Sequence, residues 1–215
     1  RLSHEDALVR LDRGLLLNRI GEPTLAIDDL DFVLAQRPNY AAALRARAAA
    51  RLACRQWRPA LDDYTRALEL EPGVWDAHVG RGRCWKELGP PEAAAPDFVE
   101  ALRLNVRSAE AHRGLAEVRE AQGRWEEAAA RYSDALEIDP DDARSEYRRG
   151  VCYARLGKNE QALADLSRAL EKDGSLADAR LERAAVYRRL RQPQRALEDL
   201  NEVVERGPAS PGSLC

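Results

Sequence analysis

Residues Ala109–Asp142 read AEAHRGLAEVREAQGRWEEAAARYSDALEIDPDD. Two apolar runs of helical period flank a break at Gln122-Gly123-Arg124. Ala111, Leu115, Ala116 and Val118 precede the break. Ala128, Tyr132, Ala135, Leu136 and Ile138 follow it, and Pro140 closes the stretch. Residues three and four apart share one face of a helix, so the 34 residues predict two amphipathic helices joined by a tight turn. A helical hairpin this short cannot bury its apolar face alone, so a chain built on one has to stack several.

The pattern recurs without a gap. After a lead-in at 1–6, where Ser3 and Asp6 predict a helix cap, six units of equal length follow: 7–40, 41–74, 75–108, 109–142, 143–176 and 177–210, with a tail at 211–215. Small residues fall in register in each first helix (Gly14, Ala48, Gly82, Ala116, Gly150, Ala184). They do so again early in each second helix (Ala26, Ala60, Ala94, Ala128, Ala162, Ala196). Larger residues at one place in the second helix (Leu30, Tyr64, Phe98, Tyr132, Leu166, Leu200) are the knobs for the holes that small residues leave. Gly21, Arg55, Gly89, Gly123, Gly157 and Arg191 mark the inner turns, and the glycines there suit left-handed helix caps. Pro38, Pro72, Pro140 and Pro208 predict helix stops, with softer stops where Val106 and Gly174 replace proline.

Six in-register units covering residues 7–210 resemble the tetratricopeptide repeat (TPR) family. The departures are local: the bulky residue expected near the start of the first helix is replaced by Arg10, His78, His112, Glu146 and Arg180. The resemblance implies an all-α fold, an α-solenoid of six helix-turn-helix repeats wound as a right-handed superhelix. It also implies that the first helices line a concave groove and that the array is an interaction scaffold.

A covariation inside the chain predicts a contact. Arg13, Arg47, Arg81, Arg149 and Arg183 precede the small residue of their first helices. Asp29, Asp63, Asp97, Asp165 and Asp199 precede the large residue of their second helices. The fourth unit has Leu115 and Arg131 at these places and lacks both members together. Joint presence and joint loss predict an Arg–Asp bridge within each of the other five hairpins.

Composition narrows the function classes. With 45% apolar and 33% charged residues, 6% aromatics and a net charge of −3, the chain has no basic excess for nucleic acid. No apolar run is long enough to span a membrane. Cys54, Cys84, Cys152 and Cys215 form no CxxC pair, which predicts free thiols in a reducing, cytoplasmic setting and no zinc site. His78 and His112 share one place in adjacent units and read as polar substitutes at a half-exposed packing position, not as metal ligands. No nucleophile–base set or phosphate loop is present, so neither catalysis nor a cofactor is expected. The sequence starts at Arg1 and has no methionine, which suggests a processed chain or a piece of a longer one.

Two places read as weak. Pro96, inside the second helix of the third unit, should bend or delay that helix, and with Gly80 and Gly82 makes 75–108 the expected hinge or a place where close approach is needed. After residue 210 no polar helix follows to cap the array. Leu197, Leu200, Val203 and Val204 are then left partly open to a continuing array, an end-to-end contact or a partner.

On the groove face implied by the resemblance, the binding residues are Leu11, Leu15, Arg45, Ala49, Val79, Gly80, Arg83, Arg113, Gly114, Arg144, Tyr147 and Arg148. Ala46, Gly80 and Gly114 read as a flat apolar floor, and Arg113, Arg144 and Arg148 as a basic step. The partner this fits is a protein segment or helix with an apolar and an acidic part. A structural role in a large assembly, through array ends or flanks, is the alternative. Binding of a chaperone's C-terminal carboxylate is disfavoured, because glycine and acids (Gly80, Glu110, Gly114; Glu117, Asp178, Glu182) stand where such a clamp needs lysine, arginine and asparagine.

Overall fold

A computed structural model describes residues 4–205, and every regular element among them is helical. The helices are α1 (His4–Arg19), α2 (Pro23–Gln36), α3 (Ala41–Ala53), α4 (Trp57–Leu70), α5 (Trp75–Leu88), α6 (Ala95–Leu104), α7 (Ala109–Ala121), α8 (Trp125–Ile138), α9 (Ala143–Arg155), α10 (Asn159–Lys172), α11 (Ala177–Arg189) and α12 (Pro193–Glu205). Ser3 of the expected cap, Pro208 and Cys215 lie outside the described residues.

The chain forms two compact units that divide between Val118 and Arg119. In the first, each helix from α1 to α6 packs on the next, and Phe98 of α6 shares a cluster with Ala111, Leu115 and Val118 of α7. In the second, α8 to α12 pack in the same consecutive way. First helices also touch first helices, α1 with α3, α3 with α5 and α9 with α11, and among the described residues no two second helices touch to that extent. Within each unit the first-helix side is therefore the inner side. Residues 75–108 lie wholly in the first unit, and Gly80 and Gly82 there are places of close approach, set against the Tyr64 and Phe98 rings.

Knobs meet holes as the sequence predicts, and they do so twice. A Cβ added at Gly14 would lie 2.9 Å from Leu30, at Gly82 3.0 Å from Phe98 and at Gly150 2.9 Å from Leu166, each within one hairpin. The same knobs also press on the next hairpin: a Cβ at Gly80 would lie 2.2 Å from the Tyr64 ring and one at Gly114 2.5 Å from Phe98. Phe98 is fully buried between Gly82 and Gly114. The first helix α5 is thus held by two second helices, its own α6 and the preceding α4.

Pro96 delays its helix as expected. Residues Pro91–Ala94 form a 3₁₀ turn, and α6 starts only at Ala95, with the proline in the first turn where no backbone donor is lost. The inner turns follow the left-handed rule at Gly21 (φ 81°), Gly123 (71°) and Gly157 (74°), and also at Arg55 (58°) and Arg191 (57°). Gly89 departs from it, with φ −135° and ψ −171°. Pro90 follows, and a residue before proline is forced into extended backbone. The stops at Val106 and Gly174 are not softer. The helices before them end in the usual register because Asn105 Oδ1 accepts from the Arg107 amide at 3.1 Å and Asp173 Oδ1 from the Ser175 amide at 2.9 Å. These side chains build the turn that proline shapes elsewhere.

Candidate functional site

Bridges between the two helices of a hairpin fix where the inner face points. All five expected Arg–Asp pairs form, and each guanidinium uses Nε and Nη2 on one carboxylate. The shorter contacts are 2.5 Å for Arg13–Asp29, 2.6 Å for Arg47–Asp63, 2.7 Å for Arg81–Asp97, 2.7 Å for Arg149–Asp165 and 2.6 Å for Arg183–Asp199. All five carboxylates are buried. The Arg13 hydrogen bonds hold the Asp29 carboxyl below the ordinary carboxylate range, against the opposing effect of burial. In the fourth repeat Leu115 is buried and Arg131 is exposed, paired with Asp134 at 3.0 Å.

The guanidinium has a further partner that the pairwise reading misses. Nη1 of Arg47, Arg149 and Arg183 donates to Asp31 (2.6 Å), Ser133 (2.9 Å) and Ser167 (3.0 Å) on the preceding second helix. The signal was available as polar residues at a constant offset, but only for a reader who compared neighbouring repeats.

The histidines are corrected by the structure. His78 and His112 are buried, not half-exposed. Their Nε2 atoms lie 3.1 Å from the Pro72 carbonyl and 3.0 Å from the Val106 carbonyl, and His78 Nδ1 lies 3.0 Å from Asp97. In α5 and α7 the place is a cap for the loop that enters the helix. Arg180 serves it at the Gly174 carbonyl, 2.7 Å away. Glu146 cannot donate there, and Lys172 reaches both the Pro140 carbonyl and, at 3.0 Å, Glu146.

The inner face is narrower than expected. Leu11, Val79, Gly80 and Gly114 are buried and do not line it. Leu11 belongs to the core with Leu30 and Val33, Val79 to the core around Phe98, and the two glycines admit the Tyr64 and Phe98 rings. Ala46 is buried with them, so the flat floor is an internal joint. A first helix wedged between two second helices keeps only a thin open stripe.

In the first unit that stripe includes exposed Leu8, Leu15, Ala49 and Arg83 and half-buried Arg45, Lys86 and Arg113. Its charges pair sideways between successive first helices: Arg45 with Asp76 at 3.3 Å, Arg83 with Glu110 at 2.9 Å, and Lys86 with Glu117. In the second unit Arg144 is exposed, and half-buried Arg148 donates to Glu120 at 2.9 Å while its guanidinium lies 5.6 Å from the Tyr147 ring centre. Glu120 also accepts from the Tyr132 hydroxyl at 2.9 Å. The basic step is therefore partly neutralised from within.

Cys84 and Cys152 are fully buried, and burial pushes both thiols up to about 12, which removes them as nucleophiles near neutral pH. Among the described residues no helix is long and apolar enough to cross a membrane.

A family profile described as TPR repeat matches residues 120–157, and one described as tetratricopeptide repeat matches residues 143–175. No curated protein matches by sequence. Solved structures match in fold. PilW, a type IV pilus biogenesis factor, is 17% identical, with 97% of each chain covered and a TM-score of 0.83. The anaphase-promoting-complex assembly Cut9–Hcn1 is 19% identical, covering 96% of this chain and 41% of that one, with a TM-score of 0.81. YrrB, described as a TPR protein with an unusual peptide-binding site, is 23% identical, covering 84% and 93%, with a TM-score of 0.69. Tetratricopeptide-repeat profiles thus match residues 120–175, and the helix pairs locked by knobs, glycine holes and Arg–Asp bridges share the fold of solved structures that include the TPR protein YrrB.

Proposed function

We propose that the chain is a non-enzymatic adaptor that holds a protein segment against the inner face of its first unit, in a reducing, cytoplasmic setting. The observation that carries this is the juxtaposition of open apolar Leu15 and Ala49 with Arg45 and Arg83, whose partners Asp76 and Glu110 are exposed and half-exposed. Exposed ion pairs are worth roughly 0–1 kcal/mol, so a ligand carboxylate can take over either arginine at little cost. The segment would lay apolar side chains on Leu15 and Ala49 and acidic ones toward Arg45, Arg83 and Arg113. Arg144, Tyr147 and Arg148 offer a comparable aromatic and basic group on the second unit. The peptide-binding site recorded for YrrB supports a segment-holding role as a fold-level analogy.

The test is selection of binding peptides from a displayed random library, followed by anisotropy titration against wild type, Leu15→Asp and Arg83→Glu. We expect acidic peptides with an apolar end, weakened about tenfold or more by each change and by added salt. Peptides that bind both variants as well as wild type would sink this reading.

A further inference from the structure

The joints between successive hairpins reuse one set of residues. Where α10 meets α11, Leu163 and Leu170 share an apolar cluster with Ala179, Val186 and Leu190, and Arg183 Nη1 donates to Ser167 at 3.0 Å. Four repeats earlier, Ile27 and Leu34 of α2 share a cluster with Ala43 and Ala50 of α3, and Arg47 Nη1 donates to Asp31 at 2.6 Å. Arg149 and Ser133 repeat the polar part between α8 and α9. In the α2/α3 and α10/α11 joints a second helix thus offers apolar, polar and apolar groups to a first helix that answers with apolar groups around an arginine.

The first and last described helices each carry one half of that joint. In repeat register, Val9, Arg13 and Leu16 of α1 and Ile20 just after it stand where Ala179, Arg183 and Val186 of α11 and Leu190 just after it stand. Leu197, Asn201 and Val204 of α12 stand where Leu163, Ser167 and Leu170 stand in α10. At the internal joint these places are closed, yet Val9, the Arg13 side chain, Leu16, Ile20, Leu197 and Val204 are all more than half exposed, and Asn201 is exposed as well. Arg13 holds Asp29 with Nε and Nη2 as Arg183 holds Asp199, so Nη1 is the nitrogen that a preceding helix takes in Arg47, Arg149 and Arg183.

We propose that the two surfaces pair head to tail between copies of this chain, α12 of one copy seated on α1 of the next. Leu197 and Val204 would close over Val9, Leu16 and Ile20, and the Asn201 amide oxygen would accept from Arg13 Nη1. Leu16 is larger than its internal counterparts Ala50 and Val186, and Val204 is smaller than Leu34 and Leu170, an exchange of volume across the joint, while Val9 is larger than its counterparts Ala43 and Ala179. Unlike surfaces in contact make a heterologous joint, which adds copies in an open series as concentration rises. This joint does not depend on the inner-face reading above.

Sedimentation of the whole chain across a concentration series tests it, with Leu16→Asp disabling the head and Val204→Asp the tail. Both positions are exposed, so both variants should keep the wild-type helical spectrum and melting temperature. Wild type should rise in mean mass with concentration, and each variant alone should stay at the mass of one chain. An equimolar mixture of the two variants should reach twice that mass and stop, because one intact tail meets one intact head. A wild type that stays at one-chain mass throughout overturns the proposal. So does self-association that survives Val204→Asp, or a mixture that fails to pair. Leu15→Asp, on the inner face, should leave the assembly unchanged.

Discussion

Arg149 grips Asp165 with two nitrogens, Nε 2.7 Å from Oδ2 and Nη2 3.0 Å from Oδ1, and gives its third to Ser133 on the preceding hairpin. One side chain therefore ties together three helices, α8, α9 and α10. Asp165 also accepts from Arg168, which in turn reaches Glu146 at 3.3 Å.

Removing the carboxylate should leave Arg149 largely buried without its anion and beside a second cation. Asp165→Ala is expected to cost about 3–5 kcal/mol in denaturant unfolding. Arg149→Leu should cost less, because Asp165 keeps Arg168. Combining Arg149→Leu with Asp165→Arg copies the Leu115 and Arg131 of the fourth repeat and should be milder than Asp165→Ala. In the cycle Asp165→Ala, Arg149→Ala and their double, a coupling of at least about 1 kcal/mol is expected. Strict additivity would show that the observed contact contributes nothing.

Asp29 gives the pH dependence of the same kind of pair. Its folded pKa is depressed chiefly by the Arg13 hydrogen bonds, so its contribution is fully present above the unfolded value of about 3.9. It is lost as pH falls through the lower folded value. Melting temperatures of wild type and Asp29→Asn should differ by a constant amount from pH 7 to 5 and converge below about pH 4. A gap that persists undiminished at pH 2 would contradict the ionic origin of the pair's contribution.

The repeats were legible because period, small residues and turn residues all act within 34 residues. The Arg–Asp bridges were legible because one repeat lacks both partners. What escaped were contacts between repeats. Gly80 and Gly114 read as a floor because a helical wheel has no record of the Tyr64 or Phe98 ring arriving from the preceding hairpin. Gly89 read as a left-handed cap until Pro90 beside it was given its steric weight. Arg148 read as an available cation because Glu120, its partner, lies 28 residues away on another first helix.

Gly114 tests the inter-repeat packing directly. In a solvated helix, Gly→Ala gains about 1 kcal/mol of propensity. Here the new methyl would lie 2.5 Å from Phe98, a ring already fully buried against Gly82 on its other side. Overpacking costs typically about 1–3 kcal/mol, so Gly114→Ala should be net destabilising. Combining it with Phe98→Leu should recover part of the loss. A stabilised Gly114→Ala would mean that the ring has room the structure does not show.

Arg191 makes the opposite prediction. Its φ of 57° puts a side-chain-bearing residue in the left-handed region, as does the 58° of Arg55. Gly21, Gly123 and Gly157 occupy the same turn position without the steric penalty of a Cβ. That penalty is on the order of 1–2 kcal/mol, while glycine's greater freedom in the unfolded chain returns roughly 0.4–1 kcal/mol of it. Arg191 makes its turn through backbone bonds, its amide donating to the Arg188 carbonyl at 3.1 Å, and glycine keeps that donor. Arg191→Gly should therefore stabilise by about 0.5–1 kcal/mol, read as a rise in the denaturant midpoint at unchanged slope. Gly157→Arg, the reverse change at an equivalent turn, should lose a similar amount. If Arg191→Gly instead destabilises, the Arg191 side chain contributes more to the turn than its left-handed backbone costs.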